Sequence, residues 1–322
     1  MTQFLVSLMV TLVAAPGVRW LMLHRGIIDV PNHRSSHVRP TPRGGGLACL
    51  LGVLAALVLA YAAGRAVPWV AAGAAIALAL VGFADDRFDL APPLRLGAQV
   101  AAGVLMGVAA GGGWLVAAGA VIAPVVVNVV NFMDGINGIT SLSAGVWGAT
   151  AWIVGVVAGV EAVWVIGAAT AGAAIGFLPW NAPNARLFLG DVGSYLFGGL
   201  IAAGLVVGLA NHASAVVLGA PLALYLADTG TVLIRRARRG DPLMVAHREH
   251  AYQRLTRDLQ LPHVVVSLLV AGLSGLAATA WGIMPATVAG VITLLLCSVY
   301  VVSPSVLTGP KANEASAVRG AR

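Results

Sequence analysis

Apolar residues run through this chain in blocks with hardly a charge inside them, and short polar joints between the blocks hold most of the ionisable residues. A block of about 15 to 22 apolar residues, wound as a helix, covers a hydrocarbon core about 30 Å thick. A helix on a soluble domain would instead show one apolar stripe at the 3.6-residue period. The blocks predict eleven helices, at residues 2–23, 45–63, 69–83, 94–112, 114–133, 141–159, 162–178, 194–210, 213–234, 264–284 and 286–303. The expected fold is therefore all-α: a polytopic integral membrane protein with about 10–11 transmembrane helices. Residues 1–303 form one multi-span domain, and residues 304–322 form a polar C-terminal tail. The first block has no basic residue before Arg19, so its charge lies on the wrong side for a cleaved signal peptide, and it reads as a first span with its N-terminus outside.

Composition agrees, since 59% of the residues are hydrophobic and 10% charged, against roughly 25% charged in soluble domains. The forty glycines suit close helix contacts in lipid. Cys49 and Cys297 lie in apolar blocks without metal-binding neighbours and read as small buried hydrophobes. Lysine and arginine in short loops accumulate on the cytoplasmic side. With the N-terminus periplasmic, eighteen of the nineteen basic residues fall inside and only Arg65 falls outside. The net charge of +7 then marks an inner surface suited to anionic lipid and phosphate rather than nucleic acid. These features predict a multi-pass membrane protein with its active site on cytoplasmic loops.

Ten of the twelve acidic residues fall on that same face. Carboxylates at the ends of membrane helices are costly unless they meet water, a cation or a partner, so the distribution is a functional signal. Asp85 and Asp86 are adjacent, and two such carboxylates repel unless a cation or proton lies between them, which suits a magnesium site or a proton acceptor. Asn128, Asn131, Asp134 and Asn137 recur every third residue and line one stripe if the helix continues to Asp134. Asp191, between Gly190 and Gly193, opens a span where backbone and helix N-terminus favour a pyrophosphate. Asp228 is an intramembrane acid, and His247, Arg248 and His250 stand in a basic loop suited to phosphate contact. His33 and His37, in the irregular stretch before the Thr41 turn, read as solvated.

Taken together, these segments resemble the polyprenyl-phosphate N-acetylhexosamine-1-phosphate transferase superfamily, over nearly the whole chain and in family order. The resemblance implies that Asp85 and Asp86 act on the lipid phosphate and near magnesium, with manganese as the alternative ion. It implies that Asn131, Asp134 and Asn137 hold the uridine, that Asp191 ligates the metal together with Asp86, and that Asn181 and Phe188 flank the nucleotide. Arg39 matches a basic position before the turn, and the stretch from His247 to Leu255 resembles the histidine motif of the O-antigen and capsule branch. Asn137 stands where many members have Asp. The two-residue gap between His247 and His250 differs from the contiguous histidines of the muramoyl-pentapeptide enzymes. The implied reaction moves an N-acetylhexosamine 1-phosphate from a UDP-sugar to undecaprenyl phosphate and releases UMP. His247 and His250 are expected to act in the chemistry, and Asn128, Asp228 and Arg248 to bind substrate. A homodimer is left open. The rival readings are a secondary transporter and, within the family, a phospho-MurNAc-pentapeptide transferase.

Overall fold

The computed structural model describes residues 1–31, 39–242 and 248–320, with side chains through residue 308. His33, His37 and His247 lie outside the described residues. The chain forms α1 (Thr2–His24), a two-stranded antiparallel ribbon of β1 (Ile28–Asp29) and β2 (Thr41–Pro42), α2 (Gly46–Ala62), α3 (Trp69–Phe88), α4 (Pro92–Ala109) and α5 (Trp114–Met133). It continues through α6 (Ile139–Ala158), α7 (Glu161–Asn181), α8 (Gly190–Ala210), the short α9 (Ala215–Gly219), α10 (Ala223–Arg239), α11 (Ala251–Asp258), α12 (His263–Ile283) and α13 (Ala286–Gly320).

Among the described residues nine helical stretches are long and apolar enough to cross a membrane, counting α9 through α10 as one. The other two expected spans are present as helices but fall short. At 17 residues α2 is brief, and α4 is less apolar because Arg95 and Gln99 lie on it. The ninth block is broken as well: a single turn of tighter helix, Ala220–Leu222, separates α9 from α10. Pro221 has no N–H to continue the ladder there. Hydropathy places the elements, but caps and breakers set their ends.

The bundle is built around α8, whose spanning window is 94% buried, while α13 is only 11% buried and faces outward. Small residues explain the centre, because without large side chains the backbones of neighbouring helices approach closely. The Cα of Gly82 on α3 leaves no room for a Cβ, which would stand 2.3 Å from the Asp191 carbonyl oxygen at the start of α8. Helix α1 inverts the soluble pattern. Its buried stripe is Gln3, Ser7, Thr11, Ala15, Val18 and Met22, and Ser7 donates its hydroxyl to the Ala169 carbonyl of α7 at 2.7 Å. On the far side of the bundle from α3's aspartates, Arg65 and the backbone N–H of Ala66 both bind Glu161 at the head of α7, at 2.8 and 3.0 Å.

Candidate active site

Helix α3 runs to Phe88, five residues beyond the expected end of its apolar block, so Asp85 and Asp86 stand on its last turn. Helix α8 begins at Gly190, four residues earlier than expected, which puts Asp191 in its first turn. The close approach of the two helices brings these ends together. Gly190 takes φ +74, a left-handed conformation that a side chain resists, and a Cβ on it would lie 2.6 Å from Asp86 Oδ2. That oxygen accepts the N–H of Val192 at 3.2 Å, so a carboxylate of α3 sits on the positive end of α8.

Each aspartate has different partners. Both oxygens of Asp85 are engaged: Oδ1 accepts the Leu90 N–H at 2.8 Å and Oδ2 accepts Arg95 Nη1 from α4 at 2.7 Å. Asp86 faces Arg43, whose Nε lies 3.5 Å from Oδ1 and whose Nη2 donates to the Asp86 carbonyl. Oδ1 itself is buried without a hydrogen bond among the described residues. Asp191 Oδ1 accepts Asn131 Nδ2 from α5 at 2.8 Å, and the same amide donates to Ser194 at 3.0 Å. Asp85, Asp86 and Asp191, with Arg43, Arg87, Phe88, Asp89 and Arg95, line a cleft of about 400 Å³.

Beside this cleft is a turn built from the second expected motif, that of Asn128, Asn131, Asp134 and Asn137. Helix α5 ends at Met133, so Asn128 and Asn131 share a helical face while Asp134 is the cap residue, not a continuation of the stripe. Asp134 is half-buried, and burial pushes its carboxyl up to about 7, with the Thr140 hydroxyl opposing and Asp86 adding to the rise. Asn137 donates its side-chain amide to the Pro183 carbonyl at 2.9 Å. Its backbone is held from α12, by His263 Nδ1 on the N–H and by the Ser267 hydroxyl on the carbonyl, at 3.4 and 2.9 Å. Asn181 is buried and ties this turn to the next loop: its Oδ1 accepts the Gly138 N–H at 2.6 Å and its amide donates to the Leu187 carbonyl at 3.3 Å. Phe188 bridges in parallel to Arg43 next to β2, and its carbonyl accepts the Gly45 N–H at 2.8 Å.

The expected site residues thus divide. Asp85, Asp86 and Asp191 line one cleft, Asn131 supports it, and Asp134, Asn137, Asn181 and Phe188 lie on the turn and loop around it. Asn128 lies a turn deeper and pairs with Gln99 of α4, its amide donating at 2.7 Å. Arg39 is exposed just before β2. Asp228 and His250 are buried together, at 1% and 3% exposure, among α10, α11 and α13 rather than in the cleft lining. Arg248 is half-buried, and burial, with the Arg257 cation nearby, lowers its guanidinium below the usual value. Sequence reasoning missed Arg43 and Arg95 as site residues. Both were counted as topological charge. A charge one turn inside a span, as Arg95 is, is the signal that should have marked it.

The donor set suits a hard divalent cation, because it consists of carboxylate oxygens, one of them buried and incompletely satisfied. Among the described residues no three His, Cys, Asp or Glu side chains are placed to hold an ion between them. An ion here would rest on two carboxylates and on substrate phosphates, a common arrangement for magnesium.

Residues 68–209 match the sequence profile of glycosyl transferase family 4. The chain is 31% identical over 314 residues to the decaprenyl-phosphate N-acetylglucosaminephosphotransferase of Mycolicibacterium smegmatis, covering 80% of this chain and 75% of the relative. It is 33% identical over 237 residues to the Mycobacterium tuberculosis (strain CDC 1551 / Oshkosh) protein of the same name, covering 62% of this chain and 58% of that one. It is also 33% identical over 281 residues to the phospho-N-acetylmuramoyl-pentapeptide-transferase of Mycobacterium bovis, covering 64% and 72%.

Proposed function

Because the chain belongs to the polyprenyl-phosphate N-acetylhexosamine-1-phosphate transferase superfamily, we propose that its donor is a UDP-N-acetylhexosamine and its acceptor undecaprenyl phosphate or a close polyprenyl homologue. At the level of the family it is a multi-pass membrane phosphotransferase that loads a sugar 1-phosphate onto a polyprenyl phosphate. The proposed reaction faces the cytoplasm, releases UMP and begins a cell-envelope glycan of the O-antigen or capsule kind.

The observation that carries this reading is the meeting of three aspartates from α3 and α8 with Arg43 and Arg95 in one cleft at the helix ends. Phosphoryl transfer depends chiefly on positioning and charge neutralisation. Magnesium, held by Asp191 and Asp86, would supply charge neutralisation on the pyrophosphate oxygens. Arg43 and Arg95 bring two cations to the same cleft, where fork-shaped guanidinium groups match phosphate oxygens. Asp85 holds Arg95 in place, and because both of its oxygens are engaged it orients rather than accepts a proton. No base is needed, because the lipid phosphate is already ionised at neutral pH. Its oxygen attacks the β-phosphorus of the UDP-sugar, the bond to the α-phosphate breaks, and UMP leaves. The turn with Asp134 and Asn137, backed by Asn181 and Phe188, would hold the uridine, and its position beside the cleft supports that reading. The spacing of His247 and His250 favours a simple N-acetylhexosamine over a muramoyl-pentapeptide.

The test is UMP release by the purified full chain in detergent, with undecaprenyl or decaprenyl phosphate, magnesium and a panel of UDP-N-acetylhexosamines. UMP that requires both lipid and magnesium, and appears with one donor, is the expected result. Asp191→Ala lowers kcat by two orders of magnitude or more, roughly what loss of a metal-holding carboxylate costs. Asp85→Asn lowers activity by the same factor across pH if Asp85 only orients Arg95, and recovery at alkaline pH would mark it as a base instead. Folded protein that releases no UMP from any donor, beside a working control enzyme, would overturn the proposal.

A further inference from the structure

Where the segment after α10 enters α11, three consecutive residues, Glu249, His250 and Ala251, are tied back to α10. Glu249 accepts Arg236 Nη1 at 2.9 Å and Arg239 Nη2 at 2.9 and 2.7 Å, one distance for each of its oxygens. Burial opposes ionisation of Glu249, but the two guanidinium groups outweigh it and hold the carboxyl below its usual value. Arg236 also donates to the Pro242 carbonyl at 2.7 Å. Asp228 lies about two turns earlier on α10, roughly 12 Å along the axis. Both of its oxygens accept the Ala251 N–H at 3.0 Å, Oδ2 accepts the Tyr300 hydroxyl at 2.9 Å, and His250 Nδ1 lies 3.2 Å from Oδ1. The His250 side chain in turn caps the first turn of α11 reciprocally with Gln253.

This seat reaches the nucleotide turn. Tyr252, one residue into α11 from Ala251, stacks on the His250 ring with centroids 5.6 Å apart. It donates its hydroxyl to the Phe132 carbonyl at 3.0 Å, in the last turn of α5. Gly135 accommodates it, since a Cβ there would lie 2.2 Å from the Tyr252 oxygen. A buried carboxylate that accepts from a backbone N–H and a phenol, with an imidazole beside it, is a structural anchor, because any substrate group reaching it would have to break those bonds away from bulk solvent.

We infer that Asp228 and His250 are positioning residues: they seat the stretch leading into α11 at residues 249–250 on α10 and, through Tyr252, hold the turn that carries Asp134 and Asn137, and neither touches substrate. Glu249 fixes the same segment from the other side. The inference rests on the proposed transfer reaction only for its kinetic readout.

The experiment is a double-mutant cycle on the full chain in detergent, with Asp228→Asn, His250→Ala and the pair, reading kcat and both KM values by UMP release. Each single variant is expected to lower kcat about 10- to 100-fold, the scale of losing an orienting partner, with the melting temperature of the purified protein held. The double variant falls within about threefold of the worse single, because the two act as one unit. Tyr252→Phe is expected to raise the KM for the UDP-sugar several-fold, with kcat less affected. Multiplicative losses in the double variant, or a rise in KM alone for Asp228→Asn, would overturn the inference and make Asp228 a substrate ligand. Should Asp228→Asn not fold, Tyr300→Phe takes its place, since it removes one donor and keeps the carboxylate. Should the wild type release no UMP, the proposed reaction fails by itself. Trypsin cleavage after Arg248 and Arg254 then decides: equal acceleration in both singles with none added in the double supports the seat, and unchanged cleavage refutes it.

Discussion

Asp134 differs from the other carboxylates of the site because it caps α5 outside the spanning helices, and burial pushes it up to about 7 from an ordinary 3.8. The folded protein therefore keeps a proton that the unfolded chain has already released above about pH 4. The associated stability is fully present below that value, declines as pH rises, and is gone above about 7, with a slope of up to about 1.4 kcal/mol per unit. Asp134→Asn removes the slope. Thermal unfolding of both proteins in detergent from about pH 4 to 8 is the check: the wild-type advantage shrinks with rising pH and flattens near neutrality, and a pH-independent difference would contradict the assignment. Asp85, Asp86, Asn131 and Asp191 were legible in the sequence because polar groups at the end of an apolar block need a partner. Arg43 was not. Its partner Asp86 is 43 residues away and is reached only through the packing of α3 on α8. Asp228 was legible as an unusual buried acid, but its role depends on Ala251 and Tyr300, which no local pattern connects to it.

At the scale of elements, the site depends on how closely two helices approach. The Gly82 contact with the Asp191 carbonyl lies one turn from Asp86, so an added methyl at Gly82 pushes against the backbone that carries Asp191. Gly82→Ala is expected to cost about 1–3 kcal/mol of stability, as overpacking generally does, and to lower turnover far more than that instability accounts for. Melting temperature and UMP release on one preparation separate the two effects; activity that follows stability alone would show that the cleft tolerates the shift. The spanning helices themselves were largely legible from apolar length. The exceptions have physical causes. Helices α3 and α8 run further into their polar joints where the first turn of α8 holds Asp86 of α3, and α9 is cut from α10 by Pro221.

On the scale of the whole molecule, the chemistry lies at one end of the bundle and the Arg65–Glu161 tie at the other, separated by the 20 residues of α3, or about 30 Å. Loop charge predicts that the cleft faces the inside of the cell. Arg65→Cys is then expected to react with a membrane-impermeant maleimide on intact cells, and Arg87→Cys only after permeabilisation, with buried Cys49 adding little background. The opposite pattern would invert the protein. The packing order around α8 was not legible, since every block is apolar and only the sizes of facing side chains distinguish neighbours.

The polar stripe of α1 has a consequence for how the bundle is made. The acceptor for the Ser7 hydroxyl is Ala169, 162 residues further along the chain, so α1 reaches the bilayer long before α7 has been synthesised. During that interval Gly52 of α2 can already cover Ser7 and Thr11, but the Ser7 hydroxyl has not yet met its carbonyl. A nascent chain halted before α7 therefore carries a paired first helix with one hydroxyl still waiting for its acceptor, and the arrival of α7 ends that wait.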